Sequence, residues 1–304
     1  MDVKALFSDA LTTWTTRVRS VEPAQLDLPT PCTAWTVRDL LNHVVAEQLW
    51  ADPLMQGQTI EQVGERFEGD LLGADPLAAA RSAAEDAGRL TDVALSGRKV
   101  HLSYGDEDAE EYLWQLTVDH AIHGWDLAVA TGGDRELDPR LIEGVAAWFA
   151  KREEMYRAGG AVGPRGPGGD GPQSRLLSAL GRDATWGPNH AVLATFSAAF
   201  GRGDVEQIMA LMTDDCLFES TSPAPDGGRF EGAPAVRGVW IEVFGGTPNA
   251  AFTEEESFVH ADRGVLRWRF SWTEPDGSVG HVRGTDVLRF RDGKIHEKLS
   301  YVKG

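Results

Sequence analysis

Apolar residues recur every three or four positions through the first half of the chain and every second position near its end. Val3, Leu6, Phe7, Ala10, Leu11, Trp14 and Val18 mark one face of a first helix. Thr36, with Asp39 three residues on, has the form of a capping box opening a second. Asp75-Pro76 supplies an N-cap and first-turn pair for a third, whose Leu77, Ala80, Ala84, Ala87 and Leu90 face inward until Gly97 stops it. A fourth, from about Glu110 to Ala130, carries Leu113, Leu116, His120, His123, Leu127 and Ala130 on one stripe and ends near Gly132-Gly133. Asp138-Pro139 opens a last long helix with Leu141, Ile142, Val145, Trp148 and Phe149. Antiparallel helices of this length and spacing predict an all-α bundle of the four-helix type.

The segment from Ala158 to Pro172 is mostly Gly and Pro and reads as a flexible linker or surface loop. A short helix, Ser174 to Leu180, follows, and Trp186-Gly-Pro closes the first domain in this reading. After Asn189 helical periodicity (Val192, Phe196, Phe200, then Val205, Ile208, Met209, Leu211) gives way to alternation. Leu266, Trp268, Phe270 and Trp272 fall on one face of a strand, and Arg267, Arg269 and Ser271 on the other. Pro275-Asp276-Gly277 and Arg291-Asp292-Gly293 read as hairpin turns. The expected organisation is a bundle over 1–157, a Gly/Pro linker with a closing segment over 158–187, and an α+β domain with a curved sheet over 188–304.

A chain of 304 residues has room for two domains of ordinary size. Its 29 basic and 47 acidic residues leave a net charge of −18, which disfavours nucleic acid and anionic membrane surfaces as partners. No apolar run is long enough to span a bilayer and no leader pattern opens the chain, so a cytoplasmic location is expected. Cys32 and Cys216 fall in different predicted domains, which argues against a disulfide framework. The expected partner is a small-molecule substrate, and a homodimer is the protein association considered.

The chemistry concentrates in Asp119-His120-Ala121-Ile122-His123-Gly124-Trp125-Asp126. Two imidazoles on a core-facing stripe need hydrogen-bond partners or a metal ion, because burying them bare costs on the order of a few kcal/mol each. Asp119 lies one turn before His123, and His43 falls on the inner face of the second helix, between Leu40, Val44 and Glu47. Polar groups so placed form either a satisfied core network or a metal site.

The run Leu28-Pro-Thr-Pro-Cys32-Thr-Ala-Trp35-Thr-Val-Arg-Asp39-Leu-Leu-Asn-His43, with His123-Gly-Trp125-Asp126-Leu-Ala, resembles the N-terminal domain of mycothiol-dependent maleylpyruvate isomerases. More closely, it resembles the actinobacterial metal-binding branch of the DinB-like four-helix bundles. Ser174 to Trp186 is similar to that branch's closing segment, so the resemblance covers roughly residues 1–187. It implies a divalent ion, commonly zinc, held by His43, Asp119 and His123, with His120 as the competing assignment for the second ligand. Three protein ligands leave an open position, where zinc would bring water or a thiol toward ionisation at neutral pH. In the isomerase relatives the incoming ligand is the thiol cofactor mycothiol. This chain departs from them in its C-terminal half, which leaves maleylpyruvate isomerisation itself without support.

That half resembles the SnoaL-like, ketosteroid-isomerase-like cone fold, through Arg283-Gly-Thr-Asp286-Val-Leu-Arg-Phe-Arg-Asp292-Gly293-Lys294-Ile295 and Glu297-Lys-Leu-Ser-Tyr301. The fold hosts isomerases, cyclases, hydrolases and silent binding domains. Asp286 alternates with Leu288 and Phe290, so it points into the cone, as a proton carrier or as a carboxylate tied to backbone, to Arg283 or to Lys298. Trp240, Trp268 and Trp272 line a substrate pocket or fill the core. Trp125 and Asp126 are expected to pack the bundle and orient a ligand His, Cys32 to pack rather than attack, and Glu254 to Glu256 to form a solvated edge. His260, His281 and His296 show no spacing that suggests a second metal. Three functions compete: a metal-dependent isomerase or transferase using a thiol, a small-molecule binding protein without turnover, and an isomerase or cyclase working in the cone alone.

Overall fold

The computed structural model describes all residues except 1, 33, 34, 247–249, 274–276 and 304, and the side chain of 246. The chain divides into two compact units, Met1–Ala184 and Thr185–Gly304. The first contains α1 (Val3–Ser20), α2 (Val37–Met55), α3 (Ile60–Val63), α4 (Pro76–Ala87), a hairpin of β1 (Lys99–Leu102) and β2 (Gly105–Asp108), α5 (Ala109–Thr131), α6 (Pro139–Phe149), α7 (Glu153–Ala158) and α8 (Pro172–Ala179). α1 packs along α5, and α2 packs against α4 and α5.

The expected starts and stops have their physical causes in view. Thr36 and Asp39 form the reciprocal capping box at the head of α2. Asp75 and Asp138 cap α4 and α6 with their side chains, each followed by Pro in the first turn. Gly132 ends α5 at φ 75°, where a side chain would be strained. α4 stops earlier than its apolar pattern suggests: Leu90 sits in a 3-10 turn, Gly88–Asp92, rather than in the helix.

α5 is the centre of the unit and is buried nearly all round. Leu113, Leu116, Ile122, Trp125, Leu127 and Val129 are all buried, and so are Thr117, His120, His123 and Asp126. Burying each large aliphatic side chain contributes about 1.5–3 kcal/mol. That apolar packing offsets the cost of taking the polar groups out of water.

Of the two readings of the Gly/Pro-rich segment, linker or surface loop, the structure takes the second: the segment belongs to the first unit and is docked on it. The Gly166 amide donates to the Ser178 carbonyl at 2.9 Å, and the Ser178 hydroxyl donates back to the Gly166 carbonyl at 2.7 Å. Its glycines permit close backbone approach as well as flexibility, and composition alone does not separate the two. Trp186 likewise falls in the second unit, stacked on His190 with ring centres 5.9 Å apart, rather than closing the first.

The second unit contains α9 (Pro188–Arg202), α10 (Val205–Ala210), β3 (Met212–Glu219), β4 (Arg229–Glu231), α11 (Ala233–Gly246), β5 (Ala251–His260), β6 (Arg263–Thr273), β7 (Val279–Arg291) and β8 (Lys294–Val302). The strands make one curved mixed sheet in the order β4-β3-β8-β7-β6-β5, in which β3 and β8 run parallel and the other pairs antiparallel. Bulges between Glu254 and Glu256 and between Arg289 and Phe290 interrupt the register, a device that bends strands. Asp292 and Gly293, at φ 53° and 71°, close the β7–β8 hairpin as a two-residue turn. Pro275 and Asp276 of the other expected turn lie outside the described residues. α9 and α11 pack on the sheet over a core that includes Phe196, Phe200, Trp240, Trp268, Leu288 and Ile295. No described helix is long and apolar enough to cross a membrane.

Candidate metal centre

α2 and α5 bring three side chains from the first unit together. Asp119 Oδ1 lies 3.5 Å from His43 Nε2 and 3.3 Å from His123 Nε2. The two imidazole rings sit 4.9 Å apart, centre to centre. Two ligand atoms bound to one zinc ion in a tetrahedron, each at about 2.0–2.1 Å, are separated by roughly 3.3 Å. The separations match the edges of such a polyhedron. Asp119 Oδ2 is buried without a hydrogen-bond partner, a vacancy in bonding that a cation would satisfy.

His120, the competing ligand, is committed elsewhere. Its Nδ1 lies 2.6 Å from the Leu116 carbonyl and its Nε2 lies 2.9 Å from the Gln48 side-chain nitrogen. With Nδ1–H donating and Nε2 accepting, the ring is neutral and fully partnered. Burial holds its pKa below the usual imidazole range, which agrees.

Behind His123 stands a second layer of polar groups. Asp126 Oδ2 lies 3.0 Å from His123 Nδ1, so Nδ1 donates to Asp126 and Nε2 faces Asp119. Asp126 is fully buried and is gripped by Arg182: Nε reaches Oδ1 at 3.0 Å and Nη2 reaches Oδ2 at 2.8 Å. Burial pushes the Asp126 carboxyl up, but Arg182 and His123 outweigh it and hold the group below the usual range. Asp119 behaves the same way, with its two imidazole neighbours overcoming burial. His123 is held above the ordinary imidazole range, because the carboxylates around it outweigh its own burial.

Cys32 is part of this layer, which its place in the sequence did not reveal. Its Sγ lies 3.3 Å from Asp126 Oδ2, 3.2 Å from Arg182 Nη2 and 3.9 Å from His123 Nδ1. The absence of a nearby His in the sequence was no guide, since His123 comes from 91 residues away. Cys32, His123 and Asp126 form a second cluster with metal-ligand chemistry. The Arg182 guanidinium already neutralises it, so a cation is disfavoured there.

A cavity of about 270 Å³ opens on the three ligand atoms. Glu47, one turn after His43 on α2, lines it together with Tyr112, Trp148, Tyr156 and Arg182. Burial, then the charge of Asp119, pushes the Glu47 carboxyl up, partly offset by the two imidazoles. The Trp35 ring lies 4.9 Å from that of His43 and 6.0 Å from that of His123. Of these residues Glu47 and Trp148 were visible in the helical patterns of the sequence; nothing in the sequence pointed to Arg182 as a contact of Asp126.

In the second unit Asp286 takes the alternative left open by its alternation. Lys298 Nζ lies 2.8 Å from Asp286 Oδ1, and the Ser300 hydroxyl donates to the same oxygen at 2.6 Å. The ammonium lies 5.0–5.4 Å from the ring centres of Phe218, Phe200 and Trp240. Arg283 instead pairs with Glu255 on β5, and Glu256 with Arg267, so the acidic edge is solvated and ion-paired. Trp240 and Trp268 are buried in the core, and Trp272 stacks beside Phe270 at 5.6 Å. Among the described residues, no candidate metal-ligand group includes His260, His281 or His296.

Comparison with known proteins places both units. The model of the mycothiol maleylpyruvate isomerase N-terminal domain matches residues 7–128, and that of the SnoaL-like domain matches residues 193–298. An uncharacterised protein of Mycobacterium tuberculosis, found in two strains, is 33% identical over 156 residues, which is 49% of this chain and 74% of that protein. The crystal structure of an NTF2-like protein of unknown function from Mesorhizobium loti is 35% identical and covers 38% of this chain and 92% of that one, with a TM-score of 0.35. A second NTF2-like protein, from Cytophaga hutchinsonii, is 16% identical over 37% of this chain and 96% of that one, with a TM-score of 0.33.

Proposed function

Since the chain belongs to the mycothiol maleylpyruvate isomerase N-terminal-domain family and carries a SnoaL-like domain behind it, we propose that it is a divalent-metal-dependent enzyme. Its substrate is a small organic molecule and its reaction an isomerisation or transfer assisted by a low-molecular-weight thiol of the mycothiol class. His43, Asp119 and His123 hold the ion, zinc by the chemistry of the donor set. One observation carries this reading: Oδ1 of the Asp119 carboxylate stands 3.3 and 3.5 Å from imidazole nitrogens on two separate helices, while its Oδ2 is buried without a partner.

A divalent ion there supplies Lewis acidity, bringing a thiol or water toward ionisation near neutral pH. The protein's own groups do the rest. Asp126 orients His123, and Tyr112 and Trp148 line a cavity wall that limits water. Glu47 lines the same cavity, and its carboxyl is placed to take or give a proton beside the ligand set. Asp286 serves as the counter-ion of Lys298 in this account, so the second unit contributes binding rather than proton transfer. The charge of −18 and the free cysteines fit a cytoplasmic protein without nucleic-acid or membrane partners, working alone or as a homodimer.

The test joins metal and thiol. Purified protein is assayed for isomerisation of small unsaturated oxo-acids, and for transfer onto a thiol, with and without chelator and with and without mycothiol. Turnover that is lost on adding chelator and that requires mycothiol supports the reading. Turnover indifferent to chelator, or ligand binding without any turnover, overturns it.

A further inference from the structure

Gly166, in the Gly/Pro-rich segment, lies flat against the peptide of Arg182. A Cβ built on Gly166 would fall 2.2 Å from the Arg182 carbonyl oxygen and 2.6 Å from its carbonyl carbon. Both are backbone atoms and cannot swing aside. Gly181, at φ +78°, ends α8 so that the chain turns back; the Arg182 amide then donates to the Leu177 carbonyl at 2.8 Å. A Cβ on Gly181 would approach the Pro164 carbonyl oxygen at 3.2 Å, so segment and turn are fitted to each other at two points.

From that fixed peptide the Arg182 side chain reaches Asp126 with two nitrogens, and Asp126 reaches His123 Nδ1. A bidentate guanidinium–carboxylate pair transmits orientation as well as charge. Asp126 is fully buried, and Arg182, Cys32 and His123 contact its carboxylate. The far nitrogen of His123 is the one that faces Asp119.

We propose that the Gly/Pro-rich segment is a positioning device for the metal centre, acting through Arg182 and Asp126 on the orientation of His123. Arg182 and Gly166 are positioning residues, not ligands. The inference rests on the metal reading above and adds a control on affinity from a surface loop. A segment lifted from α8 frees the Arg182 peptide, loosens the Asp126 clamp and weakens the grip on the ion. Partners such as these, when removed from ligand histidines, typically cost 10–100-fold in metal affinity.

The experiment measures zinc affinity of the full chain by chelator competition, alongside apo-protein melting. Gly166→Ala is compared with Gly168→Ala, whose added Cβ meets nothing within 4 Å. Arg182→Gln is compared with Arg182→Lys. Expected are unchanged affinity in Gly168→Ala, a loss of about tenfold in Gly166→Ala, and a loss of about 10–100-fold in Arg182→Gln that Arg182→Lys partly restores. Wild-type affinity in both Gly166→Ala and Arg182→Gln overturns the positioning role while leaving the metal centre standing. A wild-type chain that takes up no zinc overturns the metal reading, and this inference with it.

Discussion

Asp126 lies 3.0 Å from Nδ1 of His123, and that contact decides which ring nitrogen is free to face Asp119. In water the two tautomers of a neutral imidazole are close in energy. A buried carboxylate on one side selects between them and stiffens the ring. Replacing Asp126 by Asn keeps the size but removes the charge that both His123 and Arg182 need. The expected outcome is a loss of about 10–100-fold in zinc affinity, read by chelator competition, with α-helical circular dichroism retained. Affinity equal to wild type would show that the ring needs no such support.

The two thiols differ in reactivity for a physical reason. Cys216 is fully buried on β3, and burial pushes its thiol above the ordinary range. A raised pKa means less thiolate at any given pH, and the thiolate is the nucleophile. Alkylation of the native protein, mapped by mass spectrometry across pH 7 to 9, should modify Cys32 first, with Cys216 reacting only toward the alkaline end or on unfolding. Equal rates at the two positions would contradict the burial argument.

How much of this was legible beforehand depends on the range of each interaction. His43, Asp119 and His123 showed themselves because helical spacing of three and four is local, and polar residues on an apolar stripe stand out. Arg182 and Cys32 did not: they meet Asp126 at sequence separations of 56 and 94, and a single Arg or Cys in a turn carries no periodic signal. The β1–β2 hairpin was missed for a related reason, since strands of four residues are too short to show alternation. The Asp286–Lys298 pair was foreseen only as one of several options. Antiparallel register puts Asp286 opposite Ser300, with Lys298 reaching across, and register is not written in one strand.

That pair yields its own prediction. Lys298 is buried among aromatic rings, and removing it alone leaves a buried carboxylate without a counter-ion. Lys298→Met is expected to cost about 3–5 kcal/mol in the stability of the second unit, by urea denaturation. The double variant Lys298→Met with Asp286→Leu should recover most of it. Burial, partly opposed by Asp286, also holds the Lys298 amine below its ordinary range. Between that lowered folded value and the ordinary lysine value of about 10.4 the unfolded chain binds more protons, so this group's contribution to stability rises with pH there. Wild type should therefore gain on the double variant as pH is raised toward 10. A double variant no more stable than Lys298→Met would contradict the pairing.

Gly284 on β7 sits directly opposite Trp268 on β6. A Cβ there would fall 2.2 Å from the indole ring and 2.6 Å from the Tyr301 carbonyl oxygen. Gly284→Ala should thus destabilise the second unit by about 1–3 kcal/mol through overpacking, again by denaturation. Unchanged stability would mean that the ring moves freely, against its place in the core.

The central claim is that imidazoles from α2 and α5 grip one cation with the carboxylate between them. Elemental analysis of the purified full chain tests it most directly, with His43→Ala and Asp119→Asn prepared in parallel. The account predicts a single divalent ion per wild-type chain, withdrawn by chelator, restored by zinc, and lost in both variants. Wild-type protein free of metal after growth and purification with zinc, or variants that retain the ion in full, would contradict it.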